Sequence, residues 1–311
     1  MTPSPPPHLI VNPAAGPARR RAAARCLARA AADLLPGVRI HLTRAPGHAA
    51  ELAAAAAEEG APRVFAAGGD GTFNEVLQGL AGSATALCPV PLGTASVLAR
   101  ELRLPIDPVA ALTALIARTD HPATIGLAEG SHFRRHFLLM AGIGIDSAVI
   151  QDLLPAMKAR LGLGAYFLQG LATAARYRYP TVRVCADGQE WSGTSCIVAN
   201  GVNYAAGVSL APDAGLTRPD LCMMLFSGDG PFPYLRYIGG LLAGGRHTRM
   251  EGVRVHCGPR FTVSAQVPMR GHLDGELTGP LPLTLTAVPG GIRLPLPGTG
   301  RGGARLTPEV P

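Results

Sequence analysis

From Arg63 to Leu80 the chain reads RVFAAGGDGTFNEVLQGL, and this stretch restricts the fold more than any other. Val64 to Ala67 is a short apolar run of strand type. Phe73, Val76, Leu77 and Leu80 then recur at i, i+3, i+4 and i+7, one face of a helix over Thr72 to Leu80. GGDG is therefore a strand-to-helix turn. Glycines there let backbone amides approach a ligand closely, and a helix N-terminus favours an anion, so phosphate is the natural guest. Asp70 repels phosphate directly. It suits a ligand to a phosphate-bound cation, an acceptor for a hydroxyl, or a helix cap. Neither GxxxxGK[ST] nor a protein-kinase catalytic loop occurs in the chain.

The same punctuation recurs around this segment. His8 to Val11 is a strand ending at NPAAG (Asn12 to Gly16), with Arg19, Arg20 and Arg21 behind it. Ala86 to Val90 is a strand leading into PLGTASVLARELRLP (Pro91 to Pro105), where Gly93 and Thr94 open a helix. Helices over Arg19–Leu35, His48–Glu59 and Pro108–Arg118 and a strand over Val38–Leu42 complete the alternation. That order predicts a parallel sheet covered by helices. Three strand ends then carry turn chemistry at one carboxyl edge, where open α/β sheets bind ligands.

From about residue 122 the pattern turns to strands: Phe133–Met140, Thr181–Ala186, Ser195–Ala199, Leu221–Phe226, Val253–His256, Phe261–Ala265 and Leu281–Val288. Short strands between glycine and proline turns predict an antiparallel sandwich or barrel. The expected organisation is an α/β nucleotide-binding domain over 1–122 and a β-sandwich domain over 123–311. A helical insertion at about 147–176 and disordered tails, MTPSPPPH and GTGRGGARLTPEVP, complete it.

The 311 residues suffice for two cores. No apolar run approaches the roughly 20 residues that span a bilayer, and the N-terminus lacks signal-peptide features, so a cytoplasmic protein is expected. The six cysteines form no CxxC pair and read as buried free thiols, not a zinc site or a disulfide framework. With 28 Lys+Arg against 21 Asp+Glu, the net charge of +7 favours anionic partners.

A second acidic cluster is HLDGE, His272 to Glu276. In a strand Asp274 and Glu276 would face one side; with Gly275 between them the backbone can instead make an ordinary type I′ hairpin turn. Two carboxylates at one reaction centre can divide labour, one accepting a hydroxyl proton and one positioning a cation.

Taken in order, NPAAG, GGDGTFNEVLQGL, PLGTASVLARELRLP, AGIGIDSAVI and LDGE resemble the diacylglycerol kinase catalytic domain family, which includes bacterial lipid kinases and the sphingosine and ceramide kinases. The resemblance runs from about His8 to about residue 290. It implies an NAD-kinase- and phosphofructokinase-like α/β domain that binds ATP in a cleft against a β-sandwich. By that resemblance Gly68, Gly69, Asp70, Gly71, Thr72 and Asn74 hold the nucleotide phosphates, with Asn12, Thr43, Gly93 and Thr94 at the same site. Asp274 and Glu276 become the catalytic acid pair, Asp70 an auxiliary, and Mg²⁺ the accompanying ion. The implied activity is transfer of the γ-phosphate of ATP to the hydroxyl of a diacylglycerol-like lipid. An NAD-kinase-like enzyme or an inactive nucleotide- or lipid-binding protein are the rival readings.

Two positions depart from the family. Ser96 stands where asparagine is usual. Arg218–Pro219 stand where bacterial members often carry Asp-Gly, whose aspartate helps hold a structural magnesium. An arginine has no acceptor, so its guanidinium is expected to replace the ion's charge and pair with carbonyls or Asp220. The segment Leu153 to Pro180 mixes Lys158, Arg160, Arg176 and Arg178 with Tyr166, Phe167, Tyr177 and Tyr179. It suits a helical pair at an anionic membrane surface, or a core helix with a solvated basic face. Arg134–Arg135 and Arg246–Arg249 would add about 1 kcal/mol of attraction per basic residue. No nucleic-acid reading module is present.

Overall fold

A computed structural model describes residues 5–16, 18–93, 96–152, 163–204 and 207–297 of the chain. The chain begins with β1 (His8–Val11), α1 (Ala18–Leu34), β2 (Arg39–Leu42), α2 (His48–Glu58), β3 (Arg63–Gly68), α3 (Asp70–Leu80), β4 (Ala86–Pro91), α4 (Val97–Glu101) and α5 (Pro108–Ile116). β1 pairs in parallel with β2 and β3, and β3 with β4, as the alternation predicts. Phe73, Val76, Leu77 and Leu80 are all fully buried, so the periodic face of α3 is the face that packs on the sheet.

Then follow β5 (His121–Gly130), β6 (Phe133–Phe137), β7 (Met140–Ile143), α6 (Ile145–Asp152), α7 (Leu163–Arg176), β8 (Val182–Ala186), β9 (Gln189–Gly193), β10 (Ser195–Ala199) and β11 (Leu221–Phe226). Last come α8 (Pro231–Leu242), a 3-10 turn (Arg246–Arg249), β12 (Val253–Gly258), β13 (Arg260–Ala265), β14 (Arg270–Leu273), β15 (Glu276–Pro280) and β16 (Leu283–Leu294). Six strands in the order β12-β11-β10-β7-β14-β15 form an antiparallel sheet. It faces β5, β8, β13 and β16, and the apolar residues between them, among them Phe137, Val184, Val198, Val263 and Leu285, form the sandwich core.

The two domains share a sheet. β16 pairs with β5 and β13 in the sandwich, and near its end Arg293 registers in parallel with Ala86 of β4. Ile292 and Leu294 thus belong to the N-terminal core, although they lie near the other end of the sequence.

The structure corrects three expectations. Phe133–Met140 is not one strand. It breaks at Leu138–Leu139 between β6 in the large sheet and β7 in the small one, because the amides of Leu138, Leu139 and Met140 point to a side chain, Asp274, instead of a neighbouring strand. The cysteines are not all buried thiols. Cys222 and Cys257 sit directly opposite on β11 and β12 and form a disulfide, and Cys26 and Cys185 are exposed. Helix α8 was not expected at all. The tails from residue 298 onward and before residue 5, and the insertion over 153–162, lie outside the described residues.

Candidate functional site

A cleft of about 340 Å³ opens between the domains. Its N-terminal wall is Asn12, Ala15, Gly16, Gly69, Asp70, Gly71, Gly93 and Val97; its C-terminal wall is Leu139, Met140, Ile150, Tyr204, His272, Asp274, Gly275 and Glu276. The turns after β1, β3 and β4 therefore meet at one sheet edge and face the Asp-Gly hairpin.

The glycine wall is built for close approach. A Cβ on Gly93 would come within 2.7 Å of the Gly69 Cα, so the turns after β3 and β4 meet only as glycines. The Leu92 and Gly93 amides donate to the Gly68 carbonyl at 2.7 and 3.0 Å, locking the two turns together. Helix α3 begins at Asp70 with Gly69 as its N-cap and no side-chain cap, which leaves its first amides directed at the cleft. Amides plus the helix dipole fit an anionic phosphate chain.

Asp70 caps a helix, though not its own. Its two oxygens accept from the Val97 and Leu98 amides, each at 3.1 Å, so the carboxylate anchors the N-terminus of α4 beside α3. Ser96 adopts a left-handed backbone with φ of 46° at that junction, a conformation that asparagine tolerates better than serine.

The other expected phosphate ligands divide. Asn12 lines the cleft; its Nδ2 donates to Thr72 Oγ1 at 3.0 Å while its Oδ1 accepts from the Ala14 amide. Thr72 is buried beneath that bond. Thr43 lies beside the end of β1, its amide donating to the Val11 carbonyl, and it does not line the cleft. Thr94 lies outside the described residues. Asn74 departs most from expectation: it is 1% exposed, and its amide is committed to protein partners. Nδ2 donates to Asp274 Oδ2 at 2.8 Å and to the His136 carbonyl, and Oδ1 accepts from Arg135 at 3.0 and 2.8 Å. Asn74 joins the two domains and does not reach the cleft.

Asp274 and Glu276 occupy unlike environments. Asp274 and Gly275 both have positive φ, 49° and 89°, and close a two-residue turn in which Leu273 registers with Glu276. The hairpin turn and the acidic site are thus the same feature. The Asp274 carboxylate accepts from the amides of Leu138, Leu139 and Met140 at 2.7 to 3.0 Å besides Asn74. Those four bonds make it a clamp across the domain junction. Glu276 is partly exposed at the cleft and ion-paired with Arg135. A Cβ placed on Gly71 would lie 3.1 Å from Glu276 Oε1, which puts the carboxylate against the first turn of α3.

Several residues had no expected role. His272 is 2% exposed; its Nε2 meets Asp146 Oδ2 at 2.6 Å and its Nδ1 accepts the Gly275 amide at 3.2 Å. Asp146 also accepts from the Tyr204 hydroxyl. Burial pushes the Asp146 carboxyl up, but His272 and the two hydrogen bonds outweigh this and hold it below its usual range. Gly142 is required beneath this pair, since a Cβ there would meet His272 Nε2 at 2.2 Å. Glu101 accepts from the Val202 and Asn203 amides, each at 3.0 Å, and fastens the loop carrying Tyr204 to α4. The AGIGIDSAVI and HLDGE stretches contain Asp146 and His272, but nothing in their spacing pairs them. Arg135, which charge alone suggested for a membrane, is committed to Asn74 and Glu276.

Arg218 pairs with Asp220 through two 2.8 Å hydrogen bonds, and those bonds and that charge raise its pKa above the usual value. Among the described residues no group of three or more His, Cys, Asp or Glu could hold a metal ion. The cleft carboxylates Asp70 and Asp274 both accept from backbone amides.

An α/β half with a glycine cradle, facing a β-sandwich that carries a carboxylate, defines a protein built to handle a phosphate group. Comparison narrows it. Residues 6–128 match the model of the diacylglycerol kinase catalytic domain, and residues 140–295 that of the YegS C-terminal NAD kinase beta sandwich-like domain. A Pseudomonas aeruginosa (strain UCBPP-PA14) protein named "Probable lipid kinase YegS-like" is 32% identical over 83% of this chain and 84% of its own. The "Diacylglycerol kinase" of Bacillus subtilis (strain 168) is 29% identical over 78% and 80%. Two solved chains from Bacillus anthracis str. Sterne, the second described as a diacylglycerol kinase, share the fold. Their TM-scores are 0.76 and 0.70 at 21% and 18% identity; 94% of this chain is covered in both, against 95% and 97% of theirs. The chain belongs to the YegS-like and diacylglycerol kinase family of lipid kinases.

Proposed function

We propose that the protein transfers the γ-phosphate of ATP to the hydroxyl of a diacylglycerol-like lipid presented at a membrane surface. The observation that carries this reading is the position of Glu276, whose Oε1 stands against Gly71 at the N-terminus of α3. A phosphate chain on the glycine cradle would place its terminal phosphorus within reach of a hydroxyl held by that carboxylate. Phosphoryl transfer asks chiefly for positioning and charge stabilisation. The α3 amides and helix dipole serve the phosphates, and Arg135 fixes the Glu276 side chain. As the hydroxyl oxygen attacks phosphorus, its proton passes to Glu276 and the bond to the ADP oxygen breaks. Magnesium, carried by the nucleotide, would neutralise phosphate charge. Asp274 keeps the hairpin in place, and the Tyr204–Asp146–His272 chain braces the same turn through the Gly275 amide.

The test is incubation with γ-labelled ATP and mixed lipids or, separately, NAD. Label in an organic-extractable product is expected. Label in NADP would favour a soluble-metabolite kinase, and ATP binding without transfer to any acceptor would reduce the protein to a binding module.

A further inference from the structure

Helix α8 and the turn behind it read PFPYLRYIGGLLAGG, with Arg236 as the single charge. A surface helix of a soluble domain ordinarily turns a polar face outward. In α8 the outward positions are Phe232, Leu235, Arg236, Gly239 and Leu242, one stripe at i, i+3, i+4, i+7 and i+10. Phe232 is 83% exposed and Leu242 62%. Scattered exposed leucines need no explanation, but three large apolar side chains exposed along one helix face mark an interaction surface.

The inner side of the helix leads to the cleft. Tyr237 and Gly240 are buried, and Tyr234 packs against Ile145, Val149, Ala174 and Tyr179 of α6, α7 and the strand entry that follows. α6 also carries Asp146, which braces the Asp-Gly hairpin, and Ile150, which lines the cleft. The surroundings of the stripe are basic. Between Asp229 and Glu251, both exposed, the only charged residues are Arg236, Arg246 and Arg249, and all three are exposed.

We infer that the outer face of α8 docks on the surface of an anionic lipid bilayer. Phe232, Leu235 and Leu242 enter the boundary with the acyl chains, while Arg236, Arg246 and Arg249 meet headgroup phosphates. Exposed apolar residues accompanied by three exposed arginines, against the two flanking acids Asp229 and Glu251, match such a surface in both chemistry and charge. The inference rests on the lipid-kinase reading, because it makes α8 the element that brings the cleft to its acceptor.

Sedimentation of the full chain with vesicles of phosphatidylcholine, with and without phosphatidylglycerol, tests it. A Phe232→Ser/Leu235→Ser/Leu242→Ser variant is expected to bind phosphatidylglycerol vesicles at least roughly tenfold more weakly. Arg246→Gln and Arg249→Gln should each weaken binding about fivefold at low salt and less as salt screens the charges. Because the stripe is exposed, the triple variant should melt with wild type and still phosphorylate a short-chain, water-soluble diacylglycerol at the wild-type rate. Equal vesicle binding by wild type and triple variant would overturn docking. So would a wild-type dimer that the variant turns to monomer without change in vesicle binding, since the face would then belong to a second copy. Stripe-dependent vesicle binding without phosphorylation of any lipid would uphold the docking and sink the kinase reading instead.

Discussion

Asn74 and Asp274 lie 200 residues apart in sequence and share a 2.8 Å hydrogen bond at the junction of the two domains. The pair sits one turn along α3 from Gly71, and two residues along the hairpin from Glu276. It separates two roles that spacing alone cannot distinguish. Asp274→Asn would turn an NH₂ group toward amides that now donate to a carboxylate, leaving at least one buried N–H without an acceptor. Such a loss costs about 1–3 kcal/mol, so the variant should melt several degrees lower and lose activity through disorder of the turn. Glu276→Gln should keep the wild-type melting temperature and ATP affinity and lose about 10²-fold or more in turnover. Melting curves and phosphoryl transfer measured together on both variants check this. Unchanged turnover in Glu276→Gln would remove it from the chemistry.

The N-terminal half was legible because its signals are local. Helical spacing in FNEVLQGL and glycine turns after strands fix α3 and the cradle within a dozen residues. The C-terminal half depends on partners far off in sequence. Leu138–Leu139 ends a strand only because Asp274 takes its amides, and nothing near Phe133–Met140 announces that. Arg135 looks like half of a solvated basic pair until Asn74 and Glu276 arrive beside it. α8 contains two prolines and a Gly-Gly pair, all poor helix formers, and forms through packing of Tyr234 and Tyr237. The hairpin at Asp274 was legible as a turn, but nothing local announces that the amides of Leu138, Leu139 and Met140 converge on its carboxylate.

Arg218 offers a test of metal dependence. Its two bonds to Asp220 place a fixed cation where the family resemblance suggested an ion. Dialysis against chelator, without nucleotide, should therefore leave the melting temperature unchanged, and added magnesium should not raise it. A large drop reversed by magnesium would contradict the substitution of guanidinium for ion.

Cys222 and Cys257 bridge strands β11 and β12 across a separation of 35 residues. Closing a loop of that size in the unfolded chain stabilises by about 2–4 kcal/mol in the chain-entropy account. Reduction should lower the melting temperature by roughly 5–15 °C, given about 2–4 °C per kcal/mol for a protein of this size. A Cys222→Ser/Cys257→Ser variant should melt like the reduced protein and be insensitive to reductant. Free-thiol titration of the unreduced, denatured chain should count four thiols, as the free cysteines Cys26, Cys88, Cys185 and Cys196 require.

His8 and His41 stack at 5.1 Å across the first two strands, with His41 Nε2 3.2 Å from His8 Nδ1. Burial lowers both; for His8 the neighbouring His41 adds to the effect and Glu59 opposes it, and for His41 Arg39 and His48 add while Glu59 opposes. His247, held by the Leu210 carbonyl, is likewise lowered by burial. A histidine whose folded pKa is depressed favours the neutral ring in the native state. Above the unfolded value near 6.5 both states are neutral, and this contribution to stability is complete. Below it the unfolded chain takes up protons first, and stability falls as pH drops toward and through the folded value. The melting temperature should therefore hold between about pH 8 and pH 7 and decline below about pH 6.5. His8→Gln and His247→Gln together should flatten that decline by at least about 2 °C at the acid end. A wild-type melting temperature that rises on acidification through this window would show that the buried rings are not the groups in control.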